Sequence, residues 1–202
     1  MTVVGDDRRG RRGRADGTIL SGWWRRVGAY YLDNLLVSLV CLPITWGRWQ
    51  AISAETDRII ADLSAAAASG ATAAAPQLSS QMLSDAAFIG VVQTAVYILL
   101  EVFLLTRRGV TPGRFVTRIR VRRVSSDAPL DFATAARRTI VKNVSNLLGG
   151  VPILSFFASI FQIADYLWPL RDRRRQAIHD KVATSEVVRI QRGTPQDQGP
   201  LP

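Results

Sequence analysis

The sequence predicts an all-α integral membrane bundle, with two spanning helices, a helical hairpin that spans or re-enters, and a small cytoplasmic β pair. Three observations lead there. Three apolar runs of about 17 to 20 residues each approach the roughly 30 Å of hydrocarbon at 1.5 Å per residue. Each run carries one acid, Asp33, Glu101 or Asp165. The five tryptophans all fall at the ends of these runs, where aromatic side chains sit at the headgroup level.

The N-terminal 1–20 segment is Gly/Arg-rich and reads as a disordered basic tail. A first helix is expected over 22–46, bracketed by Trp23 and Trp24 at one end and by Trp46 and Trp49 at the other. An external Ala-rich loop is expected over 47–84, in which Ile52, Ile59, Ile60 and Leu63 could line one face of a short amphipathic helix. The second helix covers 85–105 and stops at a charged T-R-R-G exit. In 107–130, Arg118, Arg120 and Arg122 alternate with Ile119 and Val121, the period of a strand with one wet face. A matching β-prone stretch, T-S-E-V-V-R-I, lies in the C-terminal 170–190 segment, with Glu186 available to an arginine across the pair.

Between the two stretches, 131–168 reads as a hairpin. Gly149, Gly150 and Pro152 form its turn, Trp168 ends it, and Arg137, Arg138 and Lys142 snorkel to the headgroups. Residues 191–202 read as a second disordered tail.

Charge sets the orientation. Of 26 Lys and Arg residues, only Arg48 and Arg58 lie within 47–85. Placing the hairpin's two ends together leaves the other 24 on one side, the cytoplasmic side under the positive-inside rule. The net charge of +10 thereby needs no nucleic-acid partner. It suits anionic lipid headgroups instead. The single cysteine, Cys41, rules out an intrachain disulfide and reads as a buried apolar thiol. One histidine and no nucleophile motif predict no catalytic residue, no metal site, no cofactor and no enzyme activity.

Two motifs stand out. Arg26 and Asp33 are seven residues apart on one helix face, about 10.5 Å along the axis. They read either as an ion pair with a titratable carboxylate or as a structural pair that fixes helix depth. Glu101 could pair with Arg107 or Arg108, or join Asp33 and Asp165 in an acidic seam. His179-Asp180 reads as a tether, with Asp180 accepting hydrogen bonds from the T-P-G-R segment or capping a helix.

The pattern R-x-x-A-x-x-x-D at Arg26–Asp33 resembles the opening of the RDD family of bacterial membrane proteins, named for one arginine and two aspartates. Thr111-Pro112-Gly113-Arg114 through Val121 resembles its T-x-G-K-x-x-x-G-h-R-V stretch, with Arg114 in place of lysine and Arg118 in place of glycine. Arg174 through Ala183 resembles its terminal R-R-x-x-h-H-D segment, which matches Asp180 to the second aspartate. Thr184-Ser185 departs from the family's Gly-Thr.

The resemblance implies a multi-pass protein of a bacterial cell membrane, of a family for which transport of ions or small ligands has been proposed. Two functions follow as expectations. One is passage of protons, monovalent cations or a small ligand along Asp33, Glu101 and Asp165, in a homo-oligomer. The other is an accessory or assembly subunit of a larger membrane complex. Both termini are expected in the cytoplasm. Trp23, Trp24, Trp46, Trp168, Arg114 and His179 are expected in interfacial and structural roles.

Overall fold

A computed structural model describes residues 18–70, 75–148 and 152–190. Its elements are α1 (Trp23–Ser69), α2 (Ser80–Arg107), α3 (Pro112–Val116), β1 (Ile119–Arg123), α4 (Phe132–Lys142), α5 (Val144–Leu147), α6 (Pro152–Arg171), α7 (Ile178–Val182) and β2 (Ser185–Arg189). Three of these, α1, α2 and α6, are long and apolar enough to cross a membrane. The chain is mostly helical, with three helices that could span a membrane and a two-stranded sheet.

Burial is reversed relative to a water-soluble domain. Leu35, Leu39 and Ile44 on α1, Val91 and Leu99 on α2, and Phe156 and Ile160 on α6 point outward and exposed. The buried stripe of α1 is Ala29, Asp33, Val37, Cys41 and Thr45. This four-residue repeat places small and polar groups on one helix face. Cys41 packs with Val37 and Tyr97, as an apolar thiol should.

The expected external loop over 47–84 is largely helix. Helix α1 continues unbroken to Ser69, 47 residues in all, and α2 begins at Ser80 rather than at 85. Alanine, the commonest residue of the stretch read as a spacer, has the highest helix propensity of any residue. Nothing interrupts it before Gly70, which ends the helix in the left-handed region at φ 67°. Polar contacts then tie the two helices together beyond the apolar span. Arg48 pairs with Asp85 at 2.5 Å, and Ser79, the N-cap of α2, binds both carboxylate oxygens of Glu55.

The β pair forms as expected. Strands β1 and β2 are antiparallel, with Val121 opposite Val187 and Arg122 opposite Glu186, and Arg122 Nε donates to Glu186 at 2.9 Å. The reading of 1–20 as a wholly disordered tail needs correction. Leu20 bridges to Val188, and Arg189 N donates to Ile19 O at 2.9 Å, so Ile19 and Leu20 lie against the edge of the sheet. Residues 1–17 and 191–202, and the Gly149-Gly150 turn, lie outside the described residues.

The hairpin is built from α4 and α5 rising and α6 returning. Asp131 caps α4 by accepting from Thr134 N at 3.0 Å. Gln162 on α6 holds the rising limb through Ser145 Oγ at 2.6 Å and Lys142 O at 3.0 Å. Trp23 Nε1 donates to Tyr166 O at 2.8 Å, so α6 finishes beside the start of α1. Both strands gather at this end of the bundle. Trp24, Trp46, Trp49 and Trp168 are exposed there and at the opposite end of the apolar span.

Candidate functional site

Four buried acids at the sheet end of the bundle each hold a different set of donors. Asp33, 6% exposed, accepts from Thr111 Oγ1 at 2.6 Å and from Gly113 N at 2.7 Å. It thus satisfies the open N-terminal turn of α3, whose backbone N–H groups favour a carboxylate. The close approach requires glycine. A Cβ at Gly113 would sit 2.2 Å from Ala29 O and 2.9 Å from Asp33 Oδ1. This explains the T-x-G spacing in physical terms.

Glu101, 2% exposed, is surrounded by three cations. Arg114 Nη2 makes a short contact to Oε1, Arg138 Nη1 reaches the same oxygen at 3.2 Å, and Lys142 Nζ lies 3.1 Å from both. Lys142 also bonds closely to the Tyr97 hydroxyl. The expected partners Arg107 and Arg108 do not contact Glu101. Helix α2 ends at Arg107, whereas the loop into α3 folds Arg114 back toward it.

Asp180 is fully buried and joins three segments. It accepts from Arg26 Nη1 at 2.6 Å, from Arg138 Nη2 at 2.8 Å and Nε at 3.1 Å, and from Ala177 N at 3.2 Å. Burial opposes its ionisation, but Arg138, with His179 and Arg26, holds its pKa well below the ordinary carboxylate value. The expected Arg26–Asp33 pair is therefore corrected. Arg26 turns to Asp180, because Asp33 is already occupied by the N-terminus of α3. Asp180 caps α7 as expected and also ties the C-terminal segment to the hairpin. The T-P-G-R arginine goes to Glu101 instead.

Asp165 does not join a seam with the other two intramembrane acids. Its carboxylate accepts from His179 N at 2.9 Å and contacts His179 Nδ1 at 2.6 Å. Arg138 Nη2 lies 3.2 Å from His179 Nε2. A guanidinium only donates, so Nε2 accepts and Nδ1 carries the proton toward Asp165. Nε2 also lies 3.4 Å from Asp180 Oδ1. Burial lowers the imidazole pKa below 6.5, although Asp180 and Asp165 pull the other way.

Arg138 and Lys142 are the residues that sequence reasoning misplaced. They are 2% and 5% exposed and sit in the core, while only Arg137 remains at the surface. The signal was their four-residue spacing on the face shared with Ala135 and Thr139. Arg138 bridges Glu101 and Asp180, and so joins α2, α4 and α7.

Three of the cavities among the described residues border this network. One of about 230 Å³ is polar, lined by Asn34, Ser38, Gln93, Thr94, Asn143 and Asn146 among others. A second, of about 250 Å³, contains Asp33 and Glu101 against leucines of α1 and α2. Tyr97 and Val37 line both. The third, of about 50 Å³, lies among Arg26, Arg114, Arg138, Lys142 and His179. No cluster of three metal-ligating side chains occurs among the described residues.

The comparisons come to one positive result. The model of the RDD family matches residues 20–184 of 202. No curated protein and no solved structure matches the chain. The match covers α1 through α7, and with them Asp33, Glu101, Asp165, Asp180 and the side chains they bind, but not β2. The chain belongs to the RDD family.

Proposed function

We propose that the chain passes protons, monovalent cations or a small polar ligand across a bacterial cell membrane, with both termini in the cytoplasm. The observation that carries this reading is the meeting of two cavities on Tyr97. Asn34 lies about 16 Å along α1 from Trp23, near the middle of the apolar span. The neutral polar cavity there needs an occupant that can hydrogen-bond. From it, Tyr97 leads to Lys142 and Glu101 on one side and to the Asp33 cavity on the other. The route is therefore Asp33, Glu101, Tyr97 and Lys142, and Asp165 serves as a positioning residue through His179.

The test is purified protein in liposomes with a pH-sensitive dye inside. A sodium or potassium gradient should drive proton movement, which Glu101→Gln and Asp33→Asn abolish while Asp165→Asn reduces it. Inactive wild-type protein would count against transport. Reporter fusions after Ile190 and at Gly70 should lie in opposite compartments, and a shared compartment would overturn the topology.

The accessory reading has one observation of its own. Helix α1 runs some 20 residues past Trp49, about 30 Å, and there exposes Ile60 (59%) and Leu63 (38%). A partner subunit would cover such residues. If wild-type protein is inactive alone and Ile60→Asp releases a co-purifying membrane protein, this reading replaces transport.

A further inference from the structure

The smallest cavity has a chemistry that the transport route does not use. Its lining includes four cationic side chains, Arg26, Arg114, Arg138 and Lys142, and no carboxylate. Glu101 and Asp180 accept from these cations but leave some of their donors unpaired. Arg26 spends Nη1 on Asp180, while its Nε and Nη2 are buried with no acceptor among the described residues. Arg114 spends Nη2 on Glu101, and its Nη1 is likewise buried without an acceptor. The Arg114 side chain is only 7% exposed and that of Arg26 13%.

Leaving charged donors buried and unsatisfied is costly. Arg138 gives no relief, since its donors go to Glu101, Asp180 and His179 Nε2. Charge excludes a cation from this space, and size excludes an organic substrate. The cavity's 50 Å³ exceeds the roughly 10–15 Å³ that one water needs, yet falls far below the 300 Å³ at which small-molecule pockets begin.

We infer that this cavity binds one small inorganic anion of halide size, held by Arg26 Nε and Nη2 and by Arg114 Nη1. The anion accepts from the donors that Glu101 and Asp180 leave unpaired, and it joins α1 to α3. The inference stands whether or not the protein transports anything.

The test compares thermal unfolding of the purified full chain in sodium chloride, sodium bromide and sodium gluconate at equal ionic strength. Chloride and bromide should raise the melting temperature with a saturable dependence that gluconate lacks. Arg26→Lys keeps the charge and a donor for Asp180 but lacks Nε and Nη2. It should weaken the apparent halide affinity by about tenfold or more. If that variant does not fold, Arg114→Lys makes the same comparison. Bromide-soaked crystals should show an anomalous peak between Arg26 and Arg114.

Equal melting in chloride and gluconate, or an unchanged halide response in both variants, would overturn the site. So would stabilisation only by phosphatidylglycerol vesicles, which would assign the donors to a lipid phosphate.

Discussion

Arg26 and Asp180 are 154 positions apart in sequence, yet Arg26 Nη1 donates to Asp180 Oδ2 at 2.6 Å. The contact closes the first helix onto the last short helix of the domain. Arg138 then extends it to Glu101 on α2. Four segments, α1, α2, α4 and α7, are thereby held in one register by charge.

The weight carried by Arg138 is measurable. Arg138→Met removes the cation shared by Glu101 and Asp180 and leaves buried carboxylates undercompensated. Loss of one partner from a buried ion pair costs about 3–5 kcal/mol. Arg137→Met, on the exposed face of the same helix, should stay within about 0.5 kcal/mol. Unfolding in detergent compares them, and equal losses would mean that the buried cluster is not what holds the fold.

Gly113 should tolerate no side chain. A Cβ there meets the Ala29 backbone at 2.2 Å, so Gly113→Ala should cost about 1–3 kcal/mol or prevent folding. Gly47 is the control, since a Cβ at that position would have nothing within 4 Å. Gly47→Ala should be neutral or stabilising by up to about 1 kcal/mol.

Much of this was legible beforehand. Spans are set by apolar length and Trp placement, and a strand with alternating Arg and Ile is a local signal, so α2, α6, β1 and β2 were readable. The end of α1 was not, because a low-complexity Ala/Ser/Gly run reads as a spacer even though alanine favours helix. The contacts of Glu55 and Asp85 with Ser79 and Arg48 join positions far apart in sequence. The acids were found, but their partners were not. Arg138 and Lys142 look like headgroup-seeking residues until α7 and α2 close around them.

Mild acid should weaken the structure through His179. Burial keeps its folded pKa below the ordinary 6.5, so as pH falls the unfolded chain takes up the proton first. The associated stability is complete above pH 6.5 and is lost as pH drops below it. Asp180, held below 3.8, adds a further loss only under much stronger acid. Melting temperature between pH 7.5 and 5 should fall in wild type and fall less in His179→Gln. Parallel curves would show that the imidazole does not titrate differently on folding.

The sheet register yields a covalent check. Val121 and Val187 are direct partners, whereas Val188 faces the other side. In a Cys41→Ala background, cysteines replacing Val121 and Val187 should oxidise to an intrachain disulfide. The Val121 and Val188 combination should do so poorly. Reversed efficiencies would shift the register by one residue.

The pairing of Arg26 is the claim on which the account of the family motif turns. A double-mutant cycle with Arg26→Gln and Asp180→Asn, read by unfolding in detergent, measures it directly. The two should couple by about 0.5–3 kcal/mol, and a parallel cycle of Arg26→Gln with Asp33→Asn should be additive within about 0.5 kcal/mol. Coupling to Asp33 with none to Asp180 would contradict the arrangement described here.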